Sequence, residues 1–213
     1  MLNKNVLWDF TYGVYVVSSF DGDKPTGCIA NSVAQVTNTK IMVSINHSNH
    51  TNSVIKKDGY FSVSILSEKS DPNIISVFGF TSGADTDKFQ KIKYETKNNL
   101  PVVYDSIGYI ILKTTDVIEL DTHSVFIGEI MDGDILHDGV PMTYKYYHDV
   151  IKGRAPKSAP TYIEEEVKPQ PGVQYRCKIC GYIYNGDITK EPPNYVCPVC
   201  KQPKSVFERI IAV

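Results

Sequence analysis

The sequence predicts a mainly β domain, closed as a barrel or a sandwich with a few helices, followed by a small unit held together by a metal. Residues 14–19, 33–37, 40–45, 60–65, 108–115 and 124–131 are rich in Val, Ile, Tyr and Phe and are separated by Gly, Pro, Asn and Asp, the pattern of short strands. Helical signals are sparse: 49–57 has a polar start with Val54 and Ile55 behind it, and Asp71-Pro72 reads as a cap with Pro in the first turn of a helix over 73–80. Many strands and few helices in about 150 residues suit a barrel or sandwich. Finally, four of the five cysteines lie within 24 residues near the C-terminal end.

Composition removes several function classes. Apolar residues make up 42% of the 213 and charged residues 22%, with a net charge of −2, so no global field recruits nucleic acid or an anionic membrane. The longest apolar runs, such as 109–112, are too short to span a bilayer. The first residues, MLNKNVLWDF, lack the apolar stretch of a signal peptide, which points to the cytoplasm. An odd number of cysteines, five, argues against a disulfide framework there.

Charge divides the chain into three pieces. Residues 1–152 carry 13 Lys and no Arg against 18 acids, a charge of −5; residues 175–213 carry +3. Between them 153–174 is neutral and contains Pro156, Pro160, Pro169 and Pro171, so it reads as an extended linker. The opposite charges of the two bodies lead to an expectation of weak, salt-sensitive docking between them.

Cys177-Lys-Ile-Cys180 and Cys197-Pro-Val-Cys200 are two C-x-x-C pairs 16 residues apart. Two such turns facing each other form a tetrahedral sulfur cage, suited to zinc or to a single iron. A 39-residue segment cannot fold on apolar burial alone, so the metal supplies its folding free energy. The spacing fits a zinc ribbon equally well. The surroundings, Tyr175-Arg-Cys177-Lys-Ile-Cys180-Gly181-Tyr182-Ile-Tyr184, then Pro193-Asn-Tyr195-Val-Cys197-Pro198-Val-Cys200 and Phe207, resemble a rubredoxin. The resemblance implies a mononuclear Fe(III)/Fe(II) carrier whose knuckle N–H groups donate to the sulfurs. Three departures stand out: a short span between the pairs, Tyr195 in place of the usual Trp, and Lys201 in place of the usual Gly. If Lys201 keeps a left-handed conformation, it costs on the order of 1 kcal/mol.

Two polar stretches mark the larger body. Residues 24–32 read as a small-residue loop between two strands, and Asn46-His-Ser-Asn-His-Thr-Asn-Ser53 opens a helix. Hydroxyls and N–H groups at a helix start favour a phosphate, although such stretches are also ordinary turns and caps. Residues 6–152 resemble the flavin reductase-like, FMN-binding split-barrel family, through Gly13-Val-Tyr-Val-Val17, Pro25-Thr-Gly-Cys-Ile-Ala-Asn-Ser32, 40–53, Gly59-Tyr-Phe-Ser-Val-Ser64 and Thr122-His-Ser-Val-Phe-Ile-Gly-Glu129. The joined order, split barrel then rubredoxin, is similar to the high-molecular-weight rubredoxins of anaerobes.

That resemblance implies an FMN-binding split β-barrel with a few helices plus a rubredoxin-like domain, a cytoplasmic homodimer that passes NADH or NADPH electrons through FMN to iron and on to a flavo-diiron partner. It places Thr26, Gly27, Cys28, Ile29, Ala30, Asn31 and Ser32 along the flavin ring. Asn46, His47, Ser48, Asn49, His50 and Thr51 fall on the ribityl and phosphate groups, and His123 beside the ring where nicotinamide approaches. The family often has Arg or Lys at the phosphate, whereas this stretch has His47 and His50, with Lys56 or Lys57 nearby. Flavin retention is therefore expected to weaken as histidine loses its proton. Cys28 reads as a flavin-loop residue rather than a redox nucleophile. The alternative is a flavin reductase that releases reduced FMN, with a zinc-ribbon tail for binding or regulation.

Overall fold

A computed structural model describes residues 4–151, 159 and 173–210. Its larger body is one antiparallel sheet of seven strands in the order β2-β1-β5-β8-β9-β4-β3. These are β1 (Tyr15–Asp21), β2 (Lys24–Ala30), β3 (Val33–Gln35), β4 (Lys40–Asn46), β5 (Tyr60–Ile65), β8 (Gly108–Glu119) and β9 (His123–Ile135), with the hairpin β6 (Tyr94–Lys97) and β7 (Leu100–Val103) alongside. The sheet curls until β2 approaches β4, which makes it a split barrel. Helices α1 (His50–Asp58), α2 (Pro72–Phe80) and α3 (Tyr144–Asp149) cover it. Among the described residues, no helix is long and apolar enough to cross a membrane.

The curl creates two cores. Inside it, Val17, Ile41, Val43, Ile45, Ile55, Phe61, Val63, Leu112 and Phe126 pack together. Outside, Val16, Leu66, Ile74, Ile75, Phe78, Phe89 and Met142 fill the space under α2 and α3. Strand β4 alternates buried and half-buried positions along its length, while β1 is buried on both faces because both are covered.

Most expected elements stand where their signals lie. Asp71 accepts from the Asn73 N–H at 2.9 Å, with Pro72 in the first turn of α2. Gly59, at φ +75°, closes α1 by donating its N–H to the Ile55 carbonyl at 2.8 Å. One expectation is corrected. Residues 24–30 form β2, paired with β1 from Tyr15↔Ala30 to Asp21↔Lys24, and only Asn31 and Ser32 lie beyond it. A two-residue turn at Gly22 (φ +60°) and Asp23 makes the hairpin. The small residues of β2 lie against the core rather than marking a loop: Thr26, Cys28 and Ala30 are buried. Similarly, left-handed Asn98 and Asn99 turn β6 into β7, a hairpin absent from the sequence reading.

The smaller body is a three-stranded sheet, β11-β10-β12, of β10 (Gln174–Cys177), β11 (Ile183–Asn185) and β12 (Phe207–Ile210). Gln174 thus opens a strand, and its side chain donates to Asn185 at 2.7 Å. The proline-rich stretch otherwise lies outside the described residues, apart from Ala159 and Val173.

Phe61 and Phe126 meet edge-on in the inner core, both fully buried, with ring centroids 6.3 Å apart. Replacing Phe126 by Ala is expected to cost roughly 3–5 kcal/mol, read as a lowered urea midpoint of the barrel transition.

Candidate functional site

Local geometry assembles the cage. In the first knuckle, Gly181 at φ +77° donates its N–H to the Cys177 carbonyl at 2.9 Å, and Cys177 N–H donates to the Tyr182 carbonyl at 2.9 Å. The second knuckle repeats this: Lys201 donates to the Cys197 carbonyl at 2.9 Å, and Cys197 N–H to the Gln202 carbonyl at 2.8 Å. Lys201 takes φ +56°, the left-handed conformation foreseen for it. All four cysteines are buried, and their Sγ atoms lie within 4.8 Å of one another. Cys177–Cys200 and Cys180–Cys197 are 3.6 and 3.5 Å apart. Four sulfurs bound tetrahedrally at ~2.3 Å stand ~3.8 Å apart, so the cage fits a thiolate-bound zinc or iron.

The sulfurs accept the backbone N–H groups of Cys180 and Tyr182 in one knuckle, and of Cys200 and Gln202 in the other. Hydrogen bonding from Cys180 pulls the Cys177 thiol down, while donating to Cys177 pushes Cys180 up. The thiols divide in this way because neighbouring thiolates cannot all hold charge until a cation sits among them. Burial pushes Tyr195 up to about 12; its ring lies between Tyr184 and Phe207, at centroid distances of 5.7 and 6.2 Å, a packing role an indole also fills.

Among the described residues, two neighbouring cavities in the barrel share Asn49, Gly79 and Phe80. The first is walled by Cys28, Ile29, Ala30 and Asn31 from β2, by Asn46 and by His123. Asn46 and His123 meet because they are paired residues across β4 and β9. Among the described residues strand β2 is an edge of the sheet, so one row of its backbone groups is paired by no other described strand and can meet a ring edge. His123 is largely buried, and burial followed by the His47 charge holds its pKa below the usual histidine value, so its ring is neutral near pH 7. Thr122 Oγ1 lies 2.8 Å from its Nδ1, leaving Nε2 for a ligand.

The second cavity, of about 240 Å³, is walled by Ser48, Asn49, His50, Thr51, Ser82, Gly83 and Lys88. Asn49 is the N-cap of α1 and makes no side-chain capping bond. Asn52 anchors that helix end by donating to the Ile45 carbonyl at 2.9 Å and to Ser124 Oγ at 3.0 Å.

Lys88, unremarkable in the sequence, is 3% exposed, and its Nζ donates to the carbonyls of Gly27 at 2.8 Å and Phe78 at 3.2 Å. One N–H remains, and no carboxylate pairs with it among the described residues. A buried ammonium without a counter-charge is costly unless an anion completes it. Burial pulls its pKa down, offset in part by Cys28.

Sequence-assigned residues divide accordingly. Thr26, Gly27 and Ser32 wall neither cavity; Gly27 serves through its carbonyl, and the buried Thr26 Oγ1 has no hydrogen-bond partner. His47 lies outside both cavities and contacts Glu119 at 3.0 Å. His50 is in place but lies 3.2 Å from Asp21. Lys56 and Lys57 pair instead with Glu119 at 2.7 Å and Asp21 at 3.5 Å, and neither walls a cavity. Burial raises the Cys28 thiol, which suits an inert wall residue. The sequence reading also missed the far wall, Ile75, Phe78, Gly79, Phe80, Tyr144 and Tyr147, because α2 and α3 reach the cavity only through packing.

A split barrel with a polar, cationic cavity, joined to a buried tetrathiolate cage, defines a flavin- and iron-binding protein. The "Flavin reductase like domain" matches residues 7–153, and the "Rubrerythrin, rubredoxin-like domain" matches 175–208. The chain belongs to the flavin reductase-like family and carries a C-terminal rubredoxin-like domain. It is 34% identical to the high molecular weight rubredoxin of Moorella thermoacetica, over 98% of this chain and 100% of that one. It is 32% identical to the ferric-chelate reductase (NAD(P)H) of Archaeoglobus fulgidus, over 78% and 100%. The crystal structure of flavin reductase HpaC complexed with NADP+ shares the fold, with a TM-score of 0.57 and 24% identity over 66% of this chain and 92% of that one.

Lys201→Gly should relieve the left-handed strain and stabilise the cage unit by up to about 1 kcal/mol. The check is slower metal loss in acid with an unchanged visible spectrum.

Proposed function

We propose that the protein is an NAD(P)H-dependent oxidoreductase that passes electrons through FMN to a mononuclear iron held by Cys177, Cys180, Cys197 and Cys200, and on to a partner protein of the flavo-diiron type. One observation carries the reading. The unpaired Lys88 ammonium and the N-terminal end of α1 converge on one cavity, and the edge of β2 and His123 wall the cavity adjoining it. An anion with a planar ring attached fits that pair. When bound, FMN accepts the two electrons of a hydride, and the iron accepts them one at a time.

The chain's own residues hold and orient. Lys88, Ser48, Asn49, His50 and Thr51 hold the phosphate. The backbone of 28–31 meets the ring edge, and Asn46 holds the ribityl chain. Neutral His123 flanks the ring where nicotinamide approaches, offering Nε2. The long β8–β9 hairpin leaves Ile118, Leu120, Met131 and Ile135 exposed, apolar area that supports a homodimer. Membership of the rubredoxin-like family favours iron over zinc.

A visible spectrum of the purified protein, before and after NADH or NADPH under argon, tests the reading. Flavin and iron–thiolate bands that both bleach are expected; a colourless cage, or FMN lost freely on dialysis, would sink it.

Lys88 binds phosphate only when protonated, and its lowered pKa means that the charge is lost at lower pH than in an exposed lysine. Equilibrium dialysis should therefore show FMN affinity falling at high pH, with the fall setting in below the pH at which an exposed lysine would lose its proton. Lys88→Gln should weaken binding roughly 10- to 100-fold at pH 7.

A further inference from the structure

The two bodies touch through α2. Along this helix Ile74, Ile75 and Phe78 face the barrel core, while Ser76 and Phe80, four residues apart, share another face. Ser76 is buried and donates its hydroxyl to the Cys200 carbonyl at 2.6 Å. Phe80 packs against the cysteine cluster and also walls both barrel cavities. From the other side Ile179, inside the first C-x-x-C, completes the wall of the phosphate-side cavity. Among the described residues every ion pair lies within the barrel domain, so these contacts between the two bodies are neutral.

We propose that the Ser76–Phe80 face of α2 is a built seat for the cage unit of the same chain, so that the docked unit forms one wall of the flavin cavity and meets it through Phe80 and Ile179. Ser76 is a positioning residue: its hydroxyl fixes the second knuckle by the backbone, through an atom that does not bind the metal. The seat does two things. It holds the cage against the wall of the cavity, within reach of whatever occupies it, and it closes the phosphate side against escape. A neutral contact of this kind persists in salt, where a charge-steered encounter would fade. This proposal rests on the flavin-to-iron reading above. The step that the seat serves makes and breaks no bond: one electron leaves the reduced ring and turns Fe(III) into Fe(II).

The test uses full-length protein loaded with FMN and iron, with Ser76→Ala, Ser76→Arg and Ile179→Asp. Ile179 is exposed on the knuckle, so its variant probes the seat without disturbing α2. Hydrogen exchange of residues 72–80 and FMN release on dilution are read at low and high salt, together with iron reduction after the flavin is reduced. Ser76→Ala should raise exchange and FMN release about five-fold, the worth of one hydrogen bond. Ser76→Arg and Ile179→Asp should raise both by roughly ten-fold or more and slow iron reduction by a similar factor. Wild-type exchange and iron reduction should hold constant in salt and on dilution.

Exchange and FMN release unchanged in both Ser76→Arg and Ile179→Asp would overturn the seat. Protection that disappears on dilution would overturn docking within one chain. Iron that is never reduced in the wild type, while 72–80 stays protected, would overturn the electron route and leave the seat standing.

Discussion

Lys88 is shared between the Gly27 carbonyl of β2 and the Phe78 carbonyl of α2, at 3% exposure and with no carboxylate beside it among the described residues, and much of the molecule hangs on that arrangement. It fastens the strand that walls the ring-side cavity to the helix that carries the iron unit. Desolvating an ammonium opposes folding, and two carbonyl dipoles offset that only in part. An anion held in the cavity that Lys88 walls, as proposed, would meet the remaining electrostatic demand and tighten the joint between β2 and α2.

From that joint the architecture extends both ways. On the barrel side, the edge position of β2 keeps a row of backbone groups available, and α1 delivers its N-terminal end to the same cavity. On the other side, α2 offers Ser76 and Phe80 to the cage. A single helix of nine residues thus lies against barrel core and iron unit and reaches into both cavities. The cage adds the second constraint. Its four cysteines are nearly the whole core of the small body, which depends on the metal for a fold that apolar burial cannot supply.

How much was legible depended on how local each feature is. The C-x-x-C pairs were readable because a knuckle is a few residues of backbone, and Lys201, standing where the resembled family has Gly, takes the left-handed conformation. The strands of β4, β5, β8 and β9 and the cap of α2 announced themselves by alternation and by Asp71-Pro72. Strand β2 did not: its Pro, Thr, Gly and Cys mimic a loop, and it is a strand because β1 pairs with it and its small side chains fit the core. The lysine that walls the cavity was hidden for a related reason. Lys56 and Lys57 are near in sequence, but Glu119 and Asp21 draw them off, whereas Lys88 is brought in from 61 residues away.

By itself, then, the sequence determined the two-body organisation, the tetrathiolate cage and the β-rich class through spacing, periodicity and composition, and the split barrel and flavin-binding class through resemblance to a known family. Only the tertiary structure decided that Asn46 faces His123, that the buried Lys88 walls the same cavity as His50, and that Ser76 and Phe80 meet the cage. Each of these is a contact between distant segments, set by strand register and by which charges lose access to water, and neither quantity is written in any local stretch of residues.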